Sequence, residues 1–480
     1  IRANAMNVSV SQLTGIVTGF LDDKKGAALA LVAMAAVPII ASIGIASDVA
    51  RGYLVKNRLT EAVDAASLAA GRQADPALRQ GDAERFFWAN FGQDYLGTTI
   101  TSGPTVVSDD DAGTVTVTAT AEVPTTFMSA VGYNEVNIGA RAVVNRQLNG
   151  MELVLVMDNT GSMGNDGKIS AMREAAKDLL QILYGDAQTI DDVWVGLVPY
   201  VTMVNVGDAH TNWLDAGFDI SQYDQDPRGW MGCVIARPGT GDRTDDPPSV
   251  DPIVNYFWPS DASYPHWNDW YNRWPAVVTD EGAPWWSRDA RGPNRGCVTP
   301  ITSLNPYRDR VEAAIDQMQP HNYGGTMINI GLVWGWRAIS PRWRGLWGGD
   351  TPASLPLDYD EPDMNKVIIL LTDGMNVFNT VDYTAYRKLP EGALGGATSY
   401  WAATAELNNR TAEVCAAVKA AGIQLYTITF QQDDPTVQNL MRSCASEPHD
   451  EHYFDSPTNE VLVENFKLIA GKLSKLRVAE

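Results

Sequence analysis

Five residues in three short motifs have the types and order needed to hold a hard divalent cation. DNTGS carries Asp158, Thr160 and Ser162, GGT ends in Thr326, and LLTDG carries Asp373. Two carboxylates and three hydroxyls offer oxygen alone. Such a set, free of Cys and His, suits octahedral Mg²⁺ first, with Mn²⁺ or Ca²⁺ as alternatives. Two anions do not fill six positions, so water and an oxygen from a partner are expected to complete the shell. The implied chemistry is capture. A lone Mg²⁺ held mainly by hydroxyls activates water poorly beside zinc. The five histidines, His210, His266, His321, His449 and His452, belong to no nucleophile motif such as GxSxG. A metal-dependent hydrolase is therefore the least favoured function, with His321, close to Thr326, its only candidate base. No enzymatic activity is expected.

The elements that must position these residues follow from periodicity. MELVLVMD, after Gly150, is a near-continuous apolar run, the mark of a parallel strand buried on both faces, and it ends at Asp158. From Lys168 to Leu183 the apolar residues Ile169, Met172, Ala175, Ala176, Leu179, Ile182 and Leu183 recur at helical spacing. Further strands are expected at Val193–Val198, Lys366–Leu371 and Ile423–Phe430, and helices at about Tyr307–Met318, Met327–Ile339, Ala403–Ala420 and Asn459–Leu476. Alternating strands and helices predict a doubly wound α/β sheet whose ligands lie beyond the carboxyl ends of the strands. All three motifs fit that place.

At these residues the chain resembles the von Willebrand factor A family, whose metal-ion-dependent adhesion site reads Asp-x-Ser-x-Ser, then Thr, then Asp. All five places match, with Thr160 keeping the hydroxyl where Ser is commonest. The resemblance implies that Thr160, Ser162 and Thr326 bind the metal directly and that Asp158 and Asp373 act directly or through water. One position is then left for an acidic group on a partner.

The spacing departs from that pattern. An irregular segment, about 202–306, separates the second strand from Thr326 and reads as an insertion in a domain spanning 151–480. Eight of the fifteen Trp fall in it: Trp213, Trp230, Trp258, Trp267, Trp270, Trp274, Trp285 and Trp286. They form either a partner-binding cap over the metal face or the mini-core of a disulfide-stapled insert. The four cysteines show no zinc-ligand spacing. Two disulfides in an oxidising compartment are expected; the sequence leaves three connectivities open, of which Cys233–Cys297, bracketing one irregular segment, with Cys415–Cys444, closing a helix-to-loop unit, is favoured.

Residues 26–47, GAALALVAMAAVPIIASIGIAS, supply about the 20 uncharged positions that cross 30 Å of hydrocarbon as a helix. This is the expected single transmembrane span. Paired cysteines place the C-terminal part outside the cytoplasm and the arm 1–25 inside; in that arm Val10, Leu13, Ile16, Val17 and Phe20 share a helical face. Lys24–Lys25–Gly26 resembles a prepilin peptidase site, but Leu31 stands where such subunits carry an acidic residue, so processing there is not expected. Residues 48–148 read as the helix continuing to about Gly71, a second helix at Arg79–Tyr95 with Phe86, Phe87 and Trp88, a helix-like piece at Thr125–Val131, and strands at GTVTVTATAEV and VNIGARAVVNR. The order of these elements is pilin-like.

A formal charge of −22 excludes a nucleic-acid partner, since no basic stripe is present to release counterions. Acidic runs at Asp109–Asp111 and Asp245–Pro247 are candidate weak Ca²⁺ sites. Over its length the chain resembles the TadG-like proteins of the bacterial tight-adherence (Flp) pilus system, most specifically in the three metal motifs and the AVDAASLAA helix. That resemblance implies a pilus assembly or tip component in the bacterial inner membrane, with its C-terminal domains periplasmic or extracellular. Its partners would be other pilus or envelope subunits, met through the transmembrane helix and the metal face, with a homo-oligomer as a further option. The alternative is a surface adhesin for a host, matrix or glycan ligand.

Overall fold

In the computed structural model, which describes residues 24–73, 76–109, 113–145, 149–260, 292–321, 324–380 and 382–476, the uncharged run belongs to one 49-residue helix, α1 (Lys24–Arg72). Among the described residues it is the one helix long and apolar enough to cross a membrane. Its apolar part is unburied, with Leu31, Val32, Met34 and Val37 66–69% exposed. A core helix of this composition would bury those side chains. The arm 1–23 lies outside the described residues, and with it the face from Val10 to Phe20.

Beyond the apolar run, α1 changes role. Val55, Leu59, Ala62, Val63, Ala66 and Ala70 are fully buried and recur at spacings of one, three and four, a stripe on one helical face. Small residues in AVDAASLAA let helix α2 (Pro76–Asn90) and a three-stranded sheet approach closely. The sheet consists of β1 (Thr99–Asp109), β2 (Thr114–Pro124) and β3 (Glu135–Asn145), antiparallel in that order. Along β2, Val115, Val117, Ala119, Ala121 and Val123 face the helices, and the threonines between them face outward, as period two requires.

Two details differ from expectation. Helix α2 starts earlier, with Pro76 at a helical first position that needs no N–H, and of its aromatics Phe87 is buried while Phe86 and Trp88 are exposed. Strand β1 has no counterpart among the expected elements because TITSGPTVVSD contains Gly103–Pro104, ordinarily a strand breaker; the register with β2 shifts there.

Residues 148–480 form a separate compact unit. It comprises β4 (Gly150–Asp158), α3 (Lys168–Tyr184), β5 (Val193–Tyr200), β6 (Val204–Asn205), β7 (Cys233–Ile235), β8 (Val254–Asn255), β9 (Thr302–Asn305), α4 (Arg308–Gln317), β10 (Gly325–Thr326), α5 (Ile328–Ile339), β11 (Met364–Thr372) and β12 (Val377–Phe378). There follow α6 (Tyr400–Ala420), β13 (Gln424–Phe430), α7 (Pro435–Cys444), α8 (His449–His452), β14 (Tyr453–Ser456) and α9 (Asn459–Leu476). The main sheet has the order β14-β13-β11-β4-β5-β9, parallel except for β9, which runs antiparallel against β5. Side chains of β4 alternate between two cores. Val154 and Val156 enter one with α5 and α6, while Met151, Leu153, Leu155 and Met157 enter the other with α3, α4 and α9. This is the doubly wound α/β architecture expected.

The described part of the insertion, 202–260 and 292–306, holds more regular structure than its composition suggests. Thr302–Asn305 is the edge strand β9 rather than part of an irregular segment; four residues with two ladder pairs give no readable alternation. Within the described part, β6, β7 and β8 make a small antiparallel sheet, and Cys233 is bonded to Cys297 and Cys415 to Cys444. Trp213, Trp230 and Trp258 are buried, at 1–3% exposure. Trp213 meets Trp343 and Trp347 edge-on at 5.2 Å, two residues from outside the insertion. These three tryptophans are therefore core, not a cap; Trp267, Trp270, Trp274, Trp285 and Trp286 lie outside the described residues.

The Ca²⁺ expectation at Asp245–Pro247 is also corrected. Asp245 accepts from Ser340 Oγ at 2.5 Å, Tyr359 OH at 2.8 Å and Arg342 Nη1 at 2.9 Å, and Asp246 pairs with Arg342 at 2.5 Å. Protein donors use the oxygens a cation would need. Asp110 and Asp111 of the other run lie outside the described residues.

Candidate metal centre

Parallel strands β4 and β11 are neighbours, yet their chain continues to opposite flanks of the sheet, so the crevice beyond their carboxyl ends is the topological switch point. Asp158 is the last residue of β4, and Asp373 directly follows β11. Strand pairing alone brings two carboxylates together from distant parts of the sequence. Thr160 and Ser162 follow Asp158, with Ser162 in a single turn at Gly161–Gly164.

The oxygens converge. Asp158 Oδ1 accepts from the Thr160 N–H at 2.8 Å and from Thr160 Oγ1 at 2.6 Å. Thr160 Oγ1 lies 3.0 Å from Ser162 Oγ and 3.5 Å from Asp373 Oδ1, and Ser162 Oγ donates to Asp373 Oδ1 at 2.6 Å. An octahedral Mg²⁺ shell of about 2.1 Å radius sets adjacent ligands about 3.0 Å apart. The three oxygens of Thr160, Ser162 and Asp373 bracket that spacing, so the residues present fit a small hard cation.

Thr326 reaches the same place from the other side. It ends β10, which pairs antiparallel with β12, Thr326 opposite Val377. The hydroxyl is beside the Asp373–Gly374 turn, since a Cβ on Gly374 would stand 4.0 Å from Thr326 Oγ1. The two glycines before Thr326 are steric necessities. Gly325, at φ 102°, would drive a Cβ into the carbonyl of Val377, and at Gly324, φ 87°, one would meet the Thr202 side chain at 2.6 Å. Thr160, Ser162, Thr326, His321, Phe378 and Tyr400 are among the walls of one open cleft of about 610 Å³. His321 is held by its N–H to Asn159 O at 2.8 Å.

Burial pushes the Asp158 carboxyl up to about 7, and the Asp373 charge adds to it. Three groups around the pair escape sequence reading. Thr372 Oγ1 donates to Asp158 Oδ2 at 2.9 Å, and Tyr200 OH approaches the same oxygen at 3.4 Å while donating to Leu371 O at 3.0 Å. Lys168 Nζ, 8% exposed as a residue, donates to Asp373 Oδ2 at 3.0 Å. The signals are present but faint: Thr372 is the one hydroxyl in a buried apolar strand, and Lys168 is a cation opening a helix, where the dipole favours anions.

Strand order, antiparallel edge and motif positions together decide the architecture. The second unit has the doubly wound α/β fold expected of a von Willebrand factor A domain. No family profile matches the chain, and no curated protein gives a significant match. Among solved structures it is similar to the pilus adhesin SpaC of Lactobacillus rhamnosus GG, with 14% identity over 80% of this chain and 35% of that one at a TM-score of 0.35. It is also similar to the vWF domain of the type V pili tip protein Mfa5 of Porphyromonas gingivalis, with 10% identity over 69% and 97% at 0.36. A third is a point mutant of the PilB minor pilin of Streptococcus sanguinis, with 14% over 79% of both chains at 0.32. The chain spans about a third of the length of SpaC. Within the A domain, the Cys-bonded insertion and the metal motifs belong to one unit, with the insertion's buried tryptophans facing its core and the motifs at its open crevice.

Proposed function

We propose that the protein is a membrane-anchored, pilus-associated binding component of the bacterial envelope. Its A domain would hold Mg²⁺ through Asp158, Thr160, Ser162, Thr326 and Asp373, and the ion would capture an acidic group of a partner subunit. When bound, the metal would supply a positive centre for that acidic group. The protein residues do the rest: Asp158 orients the Thr160 hydroxyl, Ser162 and Thr160 line up with Asp373, and the cleft wall receives the flanking part of the partner. The observation that carries this is the convergence of the Thr160, Ser162 and Asp373 oxygens at octahedral spacing in an open cleft. The apolar run 26–47 would anchor the chain in the inner membrane, and the two disulfides suit a periplasmic or extracellular A domain. Assignment to a tight-adherence system rests on the resemblance of the metal motifs and the AVDAASLAA helix.

The test is calorimetric titration of the detergent-solubilised full chain with MgCl₂ and MnCl₂, followed by photocrosslinking in cells from a residue placed at Asn379 in the cleft. One saturable metal site, and a chelator-sensitive adduct with another envelope subunit, are expected. An adduct formed only with a ligand supplied from outside the cell would make the protein an adhesin. Absence of metal binding would end the proposal.

A further inference from the structure

The hairpin between β2 and β3 sits against the end of the apolar run. Its ten residues Thr125–Asn134, TTFMSAVGYN, include no charge, and three large apolar side chains stand in the open, Phe127 at 47%, Val131 at 65% and Tyr133 at 64% exposure. The hairpin is tied to α1 at two levels. At Gly44 the missing side chain makes room for Phe127, whose ring a Cβ there would overlap. One turn later the Asp48 carboxylate, 6% exposed, accepts the N–H groups of Thr126 at 3.0 Å, Phe127 at 2.7 Å and Met128 at 2.8 Å. These are the free donors at the start of the helical turn Met128–Val131.

Gly44 lies three residues inside the end of the uncharged stretch 26–47, about 4.5 Å along the helix axis. We infer that the Thr125–Asn134 hairpin is a second membrane contact, inserting Phe127, Val131 and Tyr133 at the boundary between lipid headgroups and acyl chains. This rests on the anchor reading of residues 26–47. The chemistry agrees with such a depth. Aromatic side chains with one polar end favour that boundary, the segment brings no charge to desolvate, and the nearest carboxylate, Asp48, is sealed beneath the hairpin by backbone donors. A head carried on a single helix would swivel about it; a hairpin in the interface would fix its height and tilt.

The experiment is site-directed spin labelling of the full chain in phospholipid nanodiscs. All four native cysteines are in disulfides, so a label enters only at an introduced Val131→Cys or, should that variant misfold, Tyr133→Cys. Collision with lipid-soluble oxygen is compared with collision with a water-soluble nickel chelate. Val37→Cys in the span serves as the lipid reference and Val107→Cys, on β1 and 61% exposed, as the aqueous one. The oxygen-to-nickel ratio at position 131 is expected to exceed that at 107 severalfold and to approach that at 37. A ratio equal to that at 107 puts the hairpin in water, and shielding from both reagents puts it under protein; either overturns the inference while leaving the anchor intact. An aqueous ratio at position 37 removes the anchor itself and the inference with it.

Discussion

Buried carboxylates in the two units have opposite surroundings. Asp48, in the α1 head, is met by three backbone N–H groups, that of Met128 foremost, which hold its carboxyl below the usual carboxylate range. Asp158, in the A domain, is met by hydroxyls and faces a second carboxylate, and burial pushes it up to about 7. The first is completed by donors the chain provides. The second is left wanting positive charge, and an open cleft lies beside it. A third carboxylate, Asp242 of the insertion, is buried like Asp158 but finished like Asp48, by the guanidinium of Arg410 and by Tyr386 OH at 2.6 Å. Burial alone therefore does not mark a site; a buried carboxylate that faces a second one and meets only neutral donors does, with the one nearby ammonium, Lys168, on Asp373.

Asp158→Asn should break the contrast most sharply. Mg²⁺ binding is expected to vanish in calorimetry, because one of two anions is lost. The metal-free chain should instead become more stable. A carboxyl raised in the folded state favours folding when protonated, and that contribution is lost as pH rises from the unfolded value near 3.9 through about 7. The gap in favour of the Asn variant should thus open across that window and reach on the order of 4 kcal/mol above it, measured by denaturant titration at pH 5 and pH 8. Wild type more stable than the variant at pH 8 without metal would show that Asp158 is already satisfied. Asp242→Ala should do the reverse. It leaves the Arg410 guanidinium buried without that carboxylate, and a loss of about 3–5 kcal/mol is expected by the same titration, with metal binding retained.

How much of this is legible in sequence follows from what each residue answers to. Strand β4 and helix α3 announce themselves because both faces of the one and a full stripe of the other are buried, so the pattern is uninterrupted. The edge strands β9 and β14 do not, each being four residues long with one neighbouring strand. Asp158, Thr160, Ser162, Thr326 and Asp373 can be named as a set from motif order, and the structure brings four into one hydrogen-bonded cluster with Thr326 in the wall of the same cleft. Thr372, Tyr200 and Lys168 cannot, because their partners lie 214, 42 and 205 positions away. The tryptophans of the insertion mislead in part, since composition cannot say that Trp213 would meet Trp343 and Trp347 in a core.

Asp48 gives a milder and pH-dependent effect. A carboxyl held low in the folded state contributes stability above its unfolded value, near 3.9, and loses it as pH falls through the folded one. Protection factors of the Thr126–Met128 amides, taken relative to intrinsic exchange at each pH, should be high at pH 6 and fall below about pH 4, whereas in Asp48→Asn they should be low at both. Equal protection of wild type and variant would mean that the hairpin is held by Phe127 on Gly44 and not by the carboxylate.

The smallest effect expected is the most informative about the centre. Lys168 holds Asp373 by Oδ2, which leaves Oδ1 facing Ser162 and Thr160. Its ammonium therefore orients a ligand and at the same time repels the incoming cation. Replacing it by a side chain of similar length without charge, Lys168→Met, separates the two roles. If repulsion dominates, Mg²⁺ affinity should tighten by up to about tenfold, as expected for removing one like charge near a surface site. If orientation dominates, affinity should fall, and Mn²⁺ and Mg²⁺ should fall together because both rely on the same Asp373 oxygen. We expect tightening: Ser162 Oγ, 2.6 Å from Asp373 Oδ1, positions that oxygen without help from the lysine.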